Sequence, residues 1–152
     1  MTPRSLYRLV SIAETITWAL LITGLIVRGT TGLAIAVTIG GGIHGFVFLA
    51  YGATAILVAV NQRWKLGLAL LAVATAVIPF ATIPFDRWLE RRELLGGTWR
   101  REATADPRDH TLVSRLLRFG LARPVLLASV LALGLVAVFT ALLVMGPPGG
   151  KA

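Results

Sequence analysis

Glu14 and His44 are the two side chains inside the long apolar stretches of this chain that can exchange a proton near neutral pH. The remaining charged residues sit at the ends of those stretches and in the connections between them. A carboxyl and an imidazole are the groups used for proton relay, general acid–base chemistry and metal ligation. An ionisable group inside a bilayer is costly to keep, which makes each one a functional hypothesis in search of a partner. Metal and haem chemistry find too few ligands, because one intramembrane His and one Glu cannot build a three-ligand zinc site. His110 falls outside the apolar stretches, so a bis-His haem has no second ligand within them. The chain has no cysteine, which removes disulfides and thiolate chemistry. No Ser-His-Asp order, Gly-rich phosphate loop or paired-carboxylate motif occurs. No catalytic, cofactor or metal site is therefore assigned.

The elements that must hold these two residues are membrane helices. Hydrophobic residues make up 56% of the 152 and charged residues only 14%, where soluble domains carry about 25% charged. The expected fold is an all-α membrane protein of four transmembrane helices, a three-helix core over 1–92 and one additional C-terminal span. The core spans are read at about 6–27, 33–60 and 66–85, and the fourth span over 124–146. The start resembles a signal peptide in carrying Arg4 and Arg8, but its apolar run is too long for one and lacks a small-residue cleavage site. Residues 86–123 form an Arg-rich connection read as cytoplasmic. Within it Leu112, Val113, Leu116 and Leu117 share one face of an amphipathic helix suited to the membrane surface. The tail 147–152 is expected to be disordered.

Basic residues set the expected orientation. Four spans place Arg28 and the nine Arg of the long connection on one side, and Arg4, Arg8, Arg63, Lys65 and Lys151 on the other. The excess puts the long connection in the cytoplasm and both termini outside. Because the basic residues flank apolar spans, the net charge of +8 is a membrane signature rather than a nucleic-acid footprint, and no nucleic-acid partner is expected.

Spacing then suggests partners. Glu14 shares a mildly polar stripe with Ser11, Thr15 and Trp18. Glu14 and His44 each lie toward the N-terminus of antiparallel spans, so their axial offset is about 8 Å at 1.5 Å per residue. That disfavours a direct pair and leaves room for a water link. Pro79 frees the carbonyl of Thr75 in the third span, at a depth near His44, and His44 is expected to donate to it. Gly41 and Gly45 form a small-xxx-small step, extended by Gly52 and Ala55, that suits close helix packing within the chain or in a homo-oligomer.

Three elements carry a family resemblance: Arg8 to Glu14 in an R-x-x-x-x-x-E pattern, the Ile43-His44-Gly45 step, and the stretch from Ile78-Pro79-Phe80 to Phe85-Asp86-Arg87-Trp88. With the run between them, the first 92 or so residues resemble the domain-of-unknown-function family 3817, small bacterial integral membrane proteins. The resemblance implies a three-helix membrane core and no activity, and it places Glu14 and His44 on motif positions. The reading that follows is a non-enzymatic accessory or scaffold subunit of the bacterial cytoplasmic membrane, whose partners are the lipid bilayer and another membrane protein. The alternative is a small proton-coupled transporter that uses Glu14 and His44 as relay groups.

Overall fold

In a computed structural model, residues 1–146 are described, and all regular elements among them are helical. The expected disordered tail, 147–152, lies outside the described residues. The protein is an all-α membrane protein.

α1 spans Pro3–Thr31. Thr2 and Ser5 form a reciprocal capping box, and Pro3 occupies the first turn, where its missing N–H costs nothing. Gly32 ends the helix at φ 76°, a conformation that glycine adopts without strain. α2, Ala34–Asn61, returns alongside α1. The two helices approach through Gly24 and Gly40. A Cβ on Gly24 would stand 2.6 Å from the carbonyl oxygen of Ala36, and one on Gly40 would stand 3.1 Å from that of Leu20. Packing of this kind, rather than a hydrophobic force, holds helices together in lipid. The glycines singled out by spacing have other neighbours. Gly41 faces a methyl of Leu21 at 3.8 Å, Gly45 faces the Phe139 ring at 3.5 Å, and Gly52 has nothing within 4 Å.

The stretch read as a third span, 66–85, is broken. α3 covers Leu66–Ala74 and continues as a 3-10 turn over Thr75–Val77. Ile78 is extended, as the residue before a proline prefers. Phe80 follows Pro79 at φ 63°, and the Ala81 N–H bonds the Ile78 carbonyl at 3.1 Å. Proline at the second position and a positive φ at the third make the pattern of a type II turn. α4, Thr82–Arg91, then starts with Pro84 in its first turn. It runs back along α1: Thr82 bonds the Ser11 carbonyl, Asp86 pairs with Arg8, and Glu90 pairs with Arg4. The segment from Leu66 to Arg91 is thus a helical hairpin whose two ends lie at the same end of the α1–α2 pair. Its apolar arm, Leu66–Val77, is about 18 Å long at 1.5 Å per residue, short of the roughly 30 Å hydrocarbon thickness.

Residues 92–111 pack over the C-terminal end of α2. α5, Leu112–Ala122, is capped by Thr111 and buries Ser114, Leu117, Gly120 and Leu121. Its other face exposes Leu112, Val113, Leu116 and Phe119. α6, Pro124–Met145, runs antiparallel to α2, from Leu127 near Leu57 and Val60 to Phe139 against Phe46. Among the described residues, three helices are long and apolar enough to cross a membrane: α1, α2 and α6. The N-terminus, the α2–α3 connection, the end of α4 and residues 92–123 therefore share one end of the molecule. Thirteen of the fifteen Lys and Arg residues lie there, with Arg28 at the opposite end and Lys151 outside the described residues.

Candidate functional site

Helical spacing of three and four turns Tyr7, Ser11, Glu14 and Thr17 of α1 inward, and all four are buried. His44 and Tyr51 of α2 and Thr75, Thr82 and Asp86 of the hairpin face them. Together they form a polar column that starts at the basic end and runs inward between the helices.

At the outer end Arg8 Nε donates to Asp86 Oδ2 at 3.1 Å, and Arg4 Nε donates to Glu90 at 2.5 Å. Arg8 also pairs with Glu90. One layer deeper the Tyr7 and Tyr51 hydroxyls lie 2.6 Å apart. Tyr51 donates to the Ala72 carbonyl at 3.0 Å, so Tyr7 is the donor between the two. Thr75 Oγ1 lies 3.0 Å from the Tyr51 hydroxyl and itself donates to the Ala72 carbonyl at 2.6 Å. Thr82 links the hairpin to α1 through the Ser11 carbonyl, at 3.1 Å, and the Thr15 hydroxyl, at 3.2 Å.

The deepest layer holds the two residues that the sequence picks out. Thr17 Oγ1 donates to the Glu14 backbone carbonyl at 3.0 Å and lies 3.3 Å from His44 Nδ1. That arrangement makes His44 Nδ1–H the donor to Thr17. The Trp18 ring packs against His44 with centroids 4.4 Å apart and planes tilted by 50°, and its N–H bonds the Ala76 carbonyl at 3.0 Å. Glu14 and His44 are thus joined through Thr17 rather than by a direct side-chain bond. Both carboxyl oxygens of Glu14 are buried without a hydrogen-bond partner among the described residues. Such a group is the costliest kind to leave inside a fold.

The expected bond from His44 to the Thr75 carbonyl is replaced. Thr75 O accepts from Ile78 N at 3.3 Å within the 3-10 turn, while Trp18 serves the neighbouring Ala76 carbonyl. The chain tightens before Pro79 instead of leaving a free carbonyl for His44. Thr75 still belongs to the column, through Tyr51, and Pro79 forms the turn that closes the hairpin. Spacing gave no weight to Tyr7 and Tyr51. Tyr7, Ser11 and Glu14 do share a helix face, which was the available signal.

A second polar cluster fixes residues 92–111 to α2. Asp109 is fully buried and accepts from Arg63 at 3.1 and 2.6 Å and from Thr104 N at 2.8 Å. It also pairs with Arg100, whose guanidinium caps the Val60 and Asn61 carbonyls at the end of α2. The Arg63 guanidinium, then the Thr104 N–H, hold the Asp109 carboxyl well below the usual carboxylate range. The Asp106 carboxyl is held down to about 2, chiefly by the Arg108 side chain. This is a structural clamp, and no group of three metal-ligating side chains occurs among the described residues.

The model of the domain of unknown function DUF3817 matches residues 4–91. The chain belongs to this family. Within this DUF3817 protein the match ends on the last residue of α4, so it takes in α1, α2 and the hairpin, while α5 and α6 lie beyond it. The chain is also 37% identical, over 102 residues, to the Streptomyces coelicolor protein named "Putative membrane protein SCO5905". Those residues are 64% of this chain and 11% of that much longer protein. No solved structure matches the DUF3817 chain.

Proposed function

We propose that this DUF3817 protein is a non-enzymatic accessory subunit of a larger membrane complex in the bacterial cytoplasmic membrane. The observation that carries this reading is the relative: a segment like this one makes up 11% of a far longer membrane protein. A module that occurs joined to a larger membrane chain in one protein is suited to association with such a chain in another. The close packing of α1 on α2 at Gly24 and at Gly40 and the hairpin give it a fixed core, and α6, which buries none of its residues, offers a broad apolar surface to lipid or a partner helix. Both the N-terminus and residues 92–123 face the cytoplasm in this reading, because basic residues concentrate on the cytoplasmic side of membrane proteins. Purification of the tagged chain from native membranes in mild detergent tests it. A second membrane protein in fixed ratio is expected, and recovery of the chain alone overturns the reading.

A second reading, a proton-coupled carrier, is favoured by one observation, the buried and unpartnered carboxyl of Glu14 at the inner end of a hydroxyl-lined column. It predicts that Glu14→Gln abolishes a proton flux in vesicles while folded yield is kept. An unchanged flux in that variant removes it.

A further inference from the structure

We propose that the groove between α2, α3 and α5 binds one anionic phospholipid, with an acyl chain along its apolar walls and the phosphate at an arginine rim. The open groove offers about 580 Å³, within the roughly 300–1,000 Å³ of small-ligand sites. Ile56 and Val60 of α2, Leu70 and Val73 of α3, and Val113 of α5 form its walls, and Arg63 and Arg108 stand at its polar end. Its position and its charge select the ligand.

Position argues for lipid over a water-soluble molecule. α2 is a membrane helix, and α3 is its apolar neighbour on the hairpin. α5 turns Leu112, Val113, Leu116 and Phe119 outward, at 54–72% exposure, the pattern of a helix lying in the interfacial plane of a bilayer. The groove thus opens where acyl chains pass, and its rim falls at headgroup level.

Charge argues for an anionic headgroup. Arg63 and Arg108 line the rim, and with Arg100 and Arg118 behind them they make a cluster of four arginines around Asp106 and Asp109, two positive charges in excess over the cluster as a whole. Arg108 is the most accessible of the ion-paired arginines in this cluster, at 64% side-chain exposure. Arg118 Nη1 is buried with no hydrogen-bond partner among the described residues. The first turn of α3, at Leu66, has no side-chain cap and also faces the groove, so its N–H groups add partial positive charge. Cations held close to a bilayer surface attract anionic lipid with about 1 kcal/mol each, or about five-fold in affinity.

The proposal stands apart from the accessory-subunit reading, because it concerns this chain alone. The test uses the full-length protein, delipidated in detergent, with phosphatidylglycerol or phosphatidylcholine added and bound lipid counted by native mass spectrometry. One phosphatidylglycerol per chain is expected, bound at least about five-fold more tightly than phosphatidylcholine. Arg108→Gln is expected to lower phosphatidylglycerol affinity about five-fold and leave phosphatidylcholine unchanged. Ala69→Phe, which fills the groove, is expected to weaken both lipids while melting as the parent does in the absence of lipid. Equal binding of the two lipids overturns the proposal. So does retention of phosphatidylglycerol binding by Ala69→Phe, or full competition by chain-free glycerol phosphate.

Discussion

Glu90, in the last turn of α4, is bonded to Arg4, in the first turn of α1. One turn inward, Asp86 is bonded to Arg8 in the same register. Because α1 begins at the end of the molecule where α2 finishes, these pairs return the hairpin to the end from which α3 departs. The Trp64 N–H, bonded to the Leu94 carbonyl at 2.9 Å, ties the two feet of the hairpin together. The consequence is a molecule with its N-terminus and its Arg-rich segment at one end of α1, α2 and α6, the three helices among the described residues that are long and apolar enough to cross a membrane.

Tyr51 is the keystone of the hydroxyl layer, and its removal should be costly. Tyr51→Phe leaves the Tyr7 hydroxyl without its acceptor and removes the bonds to Ala72 and Thr75. A buried hydroxyl stripped of its partner costs about 1–3 kcal/mol. The thermal midpoint in detergent should fall accordingly. Adding Tyr7→Phe should cost less than the sum of the two single changes, because the second substitution removes the orphaned group.

Glycine positions should divide into two classes. Gly24→Ala drives a methyl into the Ala36 carbonyl and must separate α1 from α2. Overpacking of this kind costs about 1–3 kcal/mol. Gly52→Ala meets open space and should be neutral or raise stability by up to about 1 kcal/mol through helix propensity. Melting of the two variants side by side decides between them.

Acid should release the 92–111 segment before it unfolds the membrane helices. The Asp109 and Asp106 carboxyls are both held below their ordinary range by arginines. Their contribution is therefore fully present above the unfolded value, about 3.9, and is lost as pH falls through the folded values. Limited proteolysis across this segment should accelerate as pH drops from about 4 toward 2, and Asp109→Asn should show the same susceptibility at neutral pH. Protection unchanged over that range would mean that apolar contacts alone hold the segment.

The membrane class, α1, α2, α6 and the amphipathic α5 are legible in composition and periodicity, because hydropathy over a long stretch outweighs local detail. Glu14 and His44 stand out for the same reason. The hairpin does not, since 66–85 contains enough apolar residues to cross, and hydropathy is indifferent to a reversal of direction. The information lies instead in pairing: Arg4 and Arg8 are spaced four apart, as are Asp86 and Glu90, and two helices so marked match in antiparallel register. The His44 partner was missed because Pro79 was expected to free a carbonyl, while the backbone tightens to 3-10 geometry and keeps it occupied. The Asp109 clamp depends on residues from Val60 to Asp109 that share no periodic pattern, so only the folded chain brings them together.

Cysteine accessibility tests the hairpin most directly, and the absence of native cysteine makes it clean. Single cysteines at Ser5, Gly29, Glu102 and Met145 are labelled with a membrane-impermeant maleimide in sealed vesicles of known orientation. The hairpin predicts that Ser5 and Glu102 label from one side and Gly29 and Met145 from the other. Labelling of Ser5 and Glu102 from opposite sides would mean that the 66–91 segment crosses the membrane, and would contradict this account.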